Sequence, residues 1–246
     1  MKFVDGTWLT FYETFIVPGI AEHMEFDIQV IKIDYSGDGV LLTDANGTSY
    51  TADAVVVTVP PQVIKDRDIK FVPPLPIRKQ KAFDEAYIWG GLKVFLEFSE
   101  RFYPVFLEIA GTNNDDGQKA FYDAAYGQDS DANVLGLFTV GVQSKPYQAR
   151  TGDELRDYIL AELDEIFDGA APRSYMQHLA QNWSAEPFIR QAYFADSADW
   201  RLSKLMQETV DGRVFFAGAS YTNGNDWGSV HTAAQSARDA VAQLVS

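Results

Sequence analysis

The side chains that could carry chemistry in this chain of 246 residues are few and widely spaced. The three histidines, His23, His178 and His231, do not have the spacing that places two metal ligands on one helix face, so a histidine metal site has little support. There is no cysteine, which excludes disulfides, thiol nucleophiles, iron–sulfur clusters and thiolate zinc sites. We therefore expect no metal centre.

Common catalytic and phosphate-binding motifs are also missing. The sequence contains no GxSxG nucleophile elbow, no GxxxxGKS/T phosphate loop and no GxGxxG dinucleotide fingerprint. The glycines of SGDG at 36–39 lie in a predicted hairpin turn, where glycine supplies a positive φ. Most carboxylates lie in runs, such as 113–117 and 153–168, that are typical of a solvated surface. Taken alone, the residues predict a fold class and little chemistry.

One basic and two aromatic side chains remain as candidates: Lys93, Trp183 and Tyr193. Lys93 alternates with apolar residues in a predicted strand at 91–98, and this periodicity alone makes it a solvent-facing lysine on a half-buried strand. Trp183 and Tyr193 are, by the same reasoning, core aromatics near a strand end. Any chemistry they share depends on the elements that position them.

The first sixty residues predict a small β-meander. Strands are expected at 28–34 and 39–44, and Asn46-Gly47 is a strong hairpin signal that leads into a third. The apolar run at 54–59 is typical of a strand that is buried on both faces. The meander therefore leads into a buried strand.

The rest of the chain mixes helices and strands. Periodicity predicts, in order, a helix at 77–86, strands at 91–98 and 134–143, a helix at 152–168 with Thr151 as its N-cap, a buried strand at 213–218 and a last helix from about Gly228 to 245. Because each end of the chain holds a buried strand, we expect residues 1–70 and 205–246 to form one domain, with 71–204 inserted as another. The expected class is α/β, of mixed α+β character.

The composition and net charge limit the kinds of partner that the chain can bind. With 46% hydrophobic residues the chain can build a packed core, and its formal net charge is −15. Such a surface repels nucleic-acid phosphates and anionic lipid, so we expect no nucleic acid and no membrane as partner, whereas a cationic ligand would suit it. No apolar run approaches the roughly 20 residues that span a bilayer, and no secretory signal is visible, so we expect a cytoplasmic protein.

Six segments follow one another in a recognisable order. They are KFVDG at 2–6, QVIKID at 29–34, YTADAVVVTVPP at 50–61, FVPPLPIRKQKAFDEAYIWGGLKVFLEF at 71–98, NWSAEPFIRQAY at 182–193 and VFFAGASYTNGNDWGSVHTAAQSARDAV at 214–241. Over nearly the whole chain they resemble the C-terminal half of the flavin-containing amine oxidases, the monoamine and polyamine oxidase family. The resemblance implies FAD-dependent oxidation of an amine to an imine, with dioxygen reoxidising the flavin and giving hydrogen peroxide.

The resemblance also implies roles for the three candidates, which we expect to be catalytic. Lys93 matches the lysine that holds a water against the flavin N5, and Trp183 matches a tryptophan near the flavin. Tyr193 matches one wall of an aromatic cage that orients the amine on the flavin. The position of the second aromatic wall is occupied by Ser229, so only one of the two walls is present. Trp227 is the alternative source of the second ring, and its other possible role is packing alone.

Further positions match cofactor contacts of the family. The expected contacts are Val30 near the adenine, Thr58 and Val59 at the flavin-side end of the buried strand, Trp183, Gly218 and Ala219 in the FAG turn, and Gly228, Ser229 and Val230 at the start of the last helix. The N–H groups of that helix start would stabilise negative charge at the flavin N1–C2=O edge. Ala192 stands where covalently flavinylated relatives carry cysteine, so the FAD is expected to be non-covalent.

The largest departure from the family is length. Its GxGxxG-bearing βαβ unit belongs to the half that this chain does not match. We therefore expect a partial FAD-binding domain that lacks its first βαβ unit, with an inserted substrate domain of mixed sheet and helices. Such a chain would bind FAD weakly or not at all by itself, and a second copy or a separate N-terminal partner chain would cover its exposed strands. The alternative is a truncated, non-catalytic relative that acts as a binding or assembly module.

Overall fold

The computed structural model describes residues 6–195, 199–223 and 228–246 and has a mixed α/β fold, the predicted class. In chain order the strands are β1 Val30–Asp34, β2 Val40–Asp44, β3 Ser49–Ala52, β4 Val55–Val57, β5 Lys70–Val72, β6 Ile88–Trp89, β7 Gly91–Phe98, β8 Phe106–Glu108, β9 Gly117–Asp123, β10 Asn133–Gly141, β11 Tyr175–Asn182, β12 Tyr193–Phe194 and β13 Val214–Phe216. The helices are α1 Trp8–Phe15, α2 Pro61–Lys65, α3 Ile77–Glu85, α4 Lys145–Gln148, α5 Gly152–Phe167, α6 Ala170–Ser174, α7 Trp200–Gln207 and α8 Val230–Leu244. Every helix and strand predicted above is present, with ends shifted by a few residues.

The first sheet contains the predicted meander, because β1, β2 and β3 pair antiparallel in that order. The turn between β2 and β3 includes Gly47, whose φ of +86° is a conformation that glycine adopts without strain. The buried Asp44 carboxylate closes this turn by accepting hydrogen bonds from the N–H groups of Asn46 and Thr48. β5, which the sequence pattern did not predict, joins the other edge parallel to β1.

β4 and β13 form a separate parallel pair, in which Val55 lies opposite Val214 and Val57 opposite Phe216. All of β13 is buried, but within the run at 54–59 only Val57 is buried, and Thr58 is exposed. The run is therefore less buried than predicted, although β4 has apolar cover on both faces: Val57 lies in a core with Phe216, and Val56 packs against Phe215, Ala217 and Ala240 of α8. In the described ranges β4 has a neighbouring strand, β13, along one edge only.

The largest sheet is antiparallel throughout, in the order β11-β7-β10-β9-β8. β7 alternates as predicted: Leu92, Val94, Leu96 and Phe98 are buried in a core that α5 covers. The other surface is half exposed, and we call it the open face. Its residues are Lys93, Phe95 and Glu97 on β7, Gln177, Leu179 and Gln181 on β11, Val134, Gly136 and Phe138 on β10, Ala120 and Tyr122 on β9, and Phe106 and Glu108 on β8.

The buried apolar residues form two main hydrophobic cores. The first joins the meander sheet, α3, α7 and the β4–β13 pair, and the second fills the space between the largest sheet and α5. A small third core, around Trp89, Val140 and Ala195, lies where β6 pairs with β12. The predicted boundary between residues 70 and 71 lies within β5, and the division into two domains stays a prediction.

α1 contributes no buried residue to these cores. Thr7 caps it by accepting a hydrogen bond from the Thr10 N–H, yet Leu9 and Phe15 are 65% and 70% exposed. A helix with apolar side chains this exposed more often belongs to an interaction surface than to a surface that binds nothing. None of the helices in the described ranges has the length and apolar character needed to cross a bilayer.

Candidate active site

The ends of β4 and β13 and the start of α8 meet through backbone hydrogen bonds. The N–H of Ala217, just after β13, donates to the Val57 carbonyl at 3.1 Å, and the Gly228 N–H donates to the Ala219 carbonyl at 3.1 Å. The Gly218 N–H donates to Ser236 Oγ of α8 at 3.2 Å. Gly218, Ala219 and Gly228 are therefore neighbours, although they are separated along the chain. We call this group the strand-end site.

Gly218 is required by its surroundings. Its φ is +142°, and a Cβ at this position would lie 3.3 Å from the ring of buried Tyr221. The Tyr221 hydroxyl donates to the Val59 carbonyl at 2.6 Å, and burial raises the pKa of this phenol. Tyr221 thus fixes the end of β4 to the turn after β13, and Thr58 and Val59 are held next to that turn.

α8 begins with an N-terminus that is open to an approaching group. Ser229 is the N-cap and forms a capping box with Thr232, so its side chain satisfies one of the first N–H groups. Val230 is 39% exposed, and nothing would contact a Cβ added to Gly228, which has a φ of +80°. The first turn of a helix carries N–H groups without intrahelical partners and a partial positive charge, which together suit an anion.

Lys93 lies on the open face, exposed as its strand periodicity predicts. Among the residues that the structure describes, none forms an ion pair or hydrogen bond with its ammonium group. Its Nζ lies 5.9 Å from the centroid of the Phe138 ring on β10, and Gln181 is its neighbour on β11. The Gln181 amide is occupied otherwise, since it donates to Glu186 Oε1 at 2.6 Å. The ammonium therefore faces solvent beside an aromatic ring.

Trp183 follows β11 directly, in a single helical turn at Trp183–Ala185. It is 39% exposed, so it is not the core aromatic that the pattern alone suggested. The Ser184 hydroxyl accepts a hydrogen bond from the Gly91 N–H at 2.8 Å, which ties this turn to the start of β7. Trp183 is thereby held near the end of the sheet that carries Lys93.

Tyr193 belongs to the short β12, where it pairs with Trp89 of β6. The two rings meet edge to face with centroids 5.7 Å apart, and the Tyr193 hydroxyl donates to Gln118 Oε1 at 3.3 Å. Ala192 precedes it and donates its N–H to the Trp89 carbonyl at 2.7 Å. Tyr193 is thus half-buried and fixed on both sides, with its ring against the small third core.

The predicted site residues therefore form two local groups. Thr58, Val59, Gly218, Ala219, Gly228, Ser229 and Val230 build the strand-end site, and Lys93, Trp183 and Tyr193 lie around the near end of the largest sheet. β12 connects them, because Phe194 packs in the first core with Tyr221 whereas Tyr193 packs in the third. Val30 lies apart, at the start of β1, half-buried against the first core. Trp227 lies outside the described residues.

Sequence reasoning missed the side chains that hold these residues in place. Phe138, Trp89 and Tyr221 each contact a predicted site residue, and none was singled out beforehand. Phe138 lies opposite Lys93 because of the register between β7 and β10, which the sequence alone does not reveal. Tyr221 lies in a loop without periodicity, so no sequence signal marks it.

The described residues fit one edge of the FAD that the resemblance implies. The α8 N-terminus offers N–H donors, and Gly218 and Gly228 allow a close approach, which together suit the pyrimidine edge of a flavin. The diphosphate is a poor match, because the sequence has no GxGxxG turn and its net charge is −15. In the described ranges, the groups that suit a flavin edge are thus present at the start of α8, whereas a GxGxxG turn of the kind that holds a diphosphate is absent from the sequence.

Comparisons with known proteins agree with this geometry. The sequence matches the family described as flavin containing amine oxidoreductase over residues 20–245. Human lysine-specific histone demethylase 2 is 28% identical over 87% of this chain and 27% of its own length. Polyamine oxidase 2 of Arabidopsis thaliana is 28% identical over 83% of this chain and 41% of its own length.

Solved structures share the fold. Cyclohexylamine oxidase from Brevibacterium oxydans IH-35A aligns with a TM-score of 0.73 at 19% identity, over 93% of this chain and 50% of the other. A putrescine oxidase redesigned at its cofactor site aligns with a TM-score of 0.70 over 92% of this chain and 51% of the other. The chain thus spans between 27% and 51% of the length of these four relatives. The match over residues 20–245 places the chain in the flavin containing amine oxidoreductase family.

Proposed function

We propose that this chain supplies the amine-binding sheet and the flavin-edge contacts of an FAD-dependent amine oxidase. The observation that carries the proposal is the position of Lys93, whose exposed ammonium lies at one end of an aromatic sheet face without an ion-pair partner in the described residues. The family resemblance assigns the same position to the lysine that holds a water at the flavin.

The bound flavin would accept two electrons from the amine and pass them to dioxygen, giving imine and hydrogen peroxide. The residues of this chain prepare that chemistry. Lys93 orients a water, and its positive charge favours electron transfer to dioxygen. Tyr193, braced by Trp89, orients the amine, and the first N–H groups of α8 favour negative charge at the flavin edge. Because position 192 is alanine, no covalent bond to the flavin forms there.

FAD binding requires more than the described residues offer. Losing several charge-assisted hydrogen bonds to the diphosphate, at about 1.5–3 kcal/mol each, would weaken affinity by orders of magnitude. We therefore propose that the flavin-loaded form contains a second copy of the chain or a separate N-terminal chain. A cytoplasmic location stays a prediction.

The test compares Lys93→Met with Lys70→Met in flavin-loaded protein. Lys70 is the matched control, because it is also an exposed lysine on a strand but lies on β5, in a different sheet from the open face. We expect Lys93→Met to slow flavin reduction or reoxidation by about tenfold or more in stopped-flow measurements, with thermal stability unchanged. Equal rates for both half-reactions in Lys93→Met and Lys70→Met would contradict the role.

A binding or assembly module is the second candidate. Ser229, in place of the second cage wall, and the exposed apolar α1 favour it. A flavin absorption spectrum of the purified protein separates the two. Protein that carries no flavin, and gains none when FAD is added at high concentration with any partner chain present, would support the module.

A further inference from the structure

The segment that carries Tyr193 lies directly on the largest sheet, on the same side as Lys93. Gly91, at the start of β7, allows this close approach, because an added Cβ would lie 2.8 Å from a methyl carbon of Val140 and 3.0 Å from the Cβ of Ala192. Val140 lies opposite Gly91 on β10 and belongs to the small third core, against which Ala192 and Tyr193 pack. Tyr193 therefore lies above the end of β10.

Gln118 lies on the same side of the sheet, on the next strand. It pairs with Val140 in the register between β9 and β10, two residues before Ala120 of the open face. Strand alternation therefore directs the Gln118 side chain towards the side on which Tyr193 packs. The Tyr193 hydroxyl donates a hydrogen bond to Gln118 Oε1 at 3.3 Å. The Tyr193 side chain thus reaches across β10 to β9.

The backbone at both ends of this contact is fixed by hydrogen bonds. On the Gln118 side, the Val142 N–H donates to the Asp116 carbonyl at 2.7 Å and ties the start of β9 to the end of β10. On the Tyr193 side, the Ala192 N–H donates to the Trp89 carbonyl at 2.7 Å. With both backbones held, the torsion angles of the two side chains are the freedom that the hydrogen bond between them restrains.

Trp89 contacts the same ring by packing. Its ring centroid lies 5.7 Å from that of Tyr193 at an interplanar angle of 66°, and its buried indole N–H has no hydrogen-bond partner among the described residues. An edge-to-face contact limits where the Tyr193 ring lies, whereas a hydrogen bond at the hydroxyl also limits the direction in which the ring points. Gln118 therefore adds an orientation that the packing against Trp89 does not supply.

We propose that Gln118 is a positioning residue for amine oxidation, because it holds the Tyr193 ring at the end of the open face. Phe138 packs against the same third core as Tyr193, and its ring centroid lies 5.9 Å from Lys93 Nζ. The direction of the Tyr193 ring therefore decides how an amine that contacts it stands relative to Lys93. This inference rests on the proposed function, which gives the Tyr193 ring its role.

The first experiment tests the contact in the chain itself, without flavin. NMR measures the nuclear Overhauser effects between the Tyr193 and Trp89 rings in the wild-type protein, Gln118→Leu, Gln118→Glu and the control Gln177→Leu. Gln177 is a matched control, because it is a glutamine of the open face whose amide donates to Glu97. We expect the effects to weaken in Gln118→Leu and to persist in Gln118→Glu, whose carboxylate still accepts from the hydroxyl. Effects of wild-type intensity in Gln118→Leu overturn the proposal.

The second experiment measures the two half-reactions separately in flavin-loaded protein, with benzylamine and octylamine as probes. We expect Gln118→Leu to slow flavin reduction about tenfold and to leave reoxidation by dioxygen unchanged, because the amine takes part only in the first step. Tyr193→Phe keeps the ring and removes the hydroxyl, so it should slow reduction by the same factor. The variant that combines both changes should be no slower than either. Gln118→Glu and Gln177→Leu should react at the wild-type rate.

Two kinetic outcomes overturn the positioning role. Equal slowing of both half-reactions in Gln118→Leu would mean that the substitution damages the protein generally. Losses that add in the combined variant would mean that Gln118 does not act through the Tyr193 hydroxyl. If neither amine reduces the flavin of the wild-type protein, the proposed function fails, and the NMR experiment still decides whether Gln118 holds Tyr193.

Discussion

Lys79 is a charged side chain placed inside the protein, with 1% of its surface exposed. Its Nζ donates to the carbonyls of Leu205, Met206 and Glu208 at the end of α7, at 3.2, 2.5 and 2.6 Å. These three acceptors match the three donors of an ammonium group, and the centroid of the Phe216 ring lies 3.8 Å away. Lys79 therefore joins α3 to α7 and closes the carboxyl end of that helix.

Burial lowers the pKa of Lys79 to about 7, against the attraction of the Glu208 carboxylate and with a contribution from Arg78. The unfolded chain, with the ordinary pKa of 10.5, then binds more protons than the folded one between about pH 7 and pH 10. Stability contributed by this residue must rise with pH across that window.

The variant Lys79→Met tests whether the stability contributed by Lys79 rises with pH. At pH 10 the neutral amine still donates hydrogen bonds, so we expect the variant to be less stable than the wild type by about 1–3 kcal/mol. This deficit should shrink as the pH falls towards 7, because only the wild type then buries a proton at a cost. Urea unfolding at several pH values measures it, with Lys81→Met on the exposed side of α3 as the control.

A deficit that grows as the pH falls would contradict the prediction. It would mean that the three carbonyls stabilise the ammonium more than burial disfavours it.

At the scale of elements, β9 and β10 pair at one end through two glycines, Gly117 and Gly141, that leave no room for a side chain. Gly141 ends β10 with a φ of +66°, and an added Cβ would lie 2.2 Å from the Asp116 carbonyl oxygen. Both the backbone conformation and the contact exclude a side chain. We expect Gly141→Ala to lower the free energy of unfolding by at least about 2 kcal/mol.

Gly152, at the start of α5, provides the matched control. It also has a positive φ, +52°, but nothing lies within 4 Å of an added Cβ. Gly152→Ala should therefore cost about 1 kcal/mol, from backbone strain alone. Chemical denaturation of both variants measures the difference, and equal losses would show that the Asp116 contact is relieved by a local shift.

The elements with strong periodicity could be predicted from the sequence. β7 and α5 were placed almost to the residue, because strict alternation and helical spacing are local signals. The short strands β5, β6, β8 and β12 were missed, because strands of two or three residues carry no period and form only where a partner strand is present. β9 and β11 were also not predicted, although they have seven and eight residues. The degree of burial of β4 was overestimated, because an apolar run does not tell how many strands lie beside it, and Val55 and Val56 are only half-buried.

The candidate site shows the same limit. Lys93, Gly218 and Gly228 could be identified from motif order, since each keeps its place in a short local pattern. Their packing partners could not, because Phe138, Trp89 and Tyr221 come from other strands and loops, and only the register brings them close. Gln118 is a further example, because nothing in the sequence marks its hydrogen bond with Tyr193.

At the scale of the whole molecule, the protein combines a net charge of −15 with an apolar helix that packs into no core. Trp8, Leu9 and Phe15 on α1 are 48%, 65% and 70% exposed. The acidic surfaces of two copies of the protein repel each other over most of their area. We therefore expect any association of copies to occur through an uncharged patch such as α1.

Leu9→Asp combined with Phe15→Asp tests this. We expect the free energy of unfolding to change by no more than about 0.5 kcal/mol, because neither side chain is buried. Sedimentation velocity should show a smaller fraction of oligomer than for the wild type. The control is Val94→Ala, a fully buried position, which should lose about 1–3 kcal/mol of stability and keep the oligomer fraction. A large loss of stability in the Asp variant would mean that α1 packs on the body of the protein.

The pairing of β4 with β13 also has a consequence during synthesis on the ribosome. Val57, at the end of β4, is synthesised long before Val214, where its partner strand begins. At about 5–20 residues per second, translation of the intervening chain takes roughly 8–30 s. Throughout that interval the apolar, β-branched segment at 55–57 lacks β13, the strand with which it pairs in the folded protein, and we expect chaperones to bind it and aggregation to begin there.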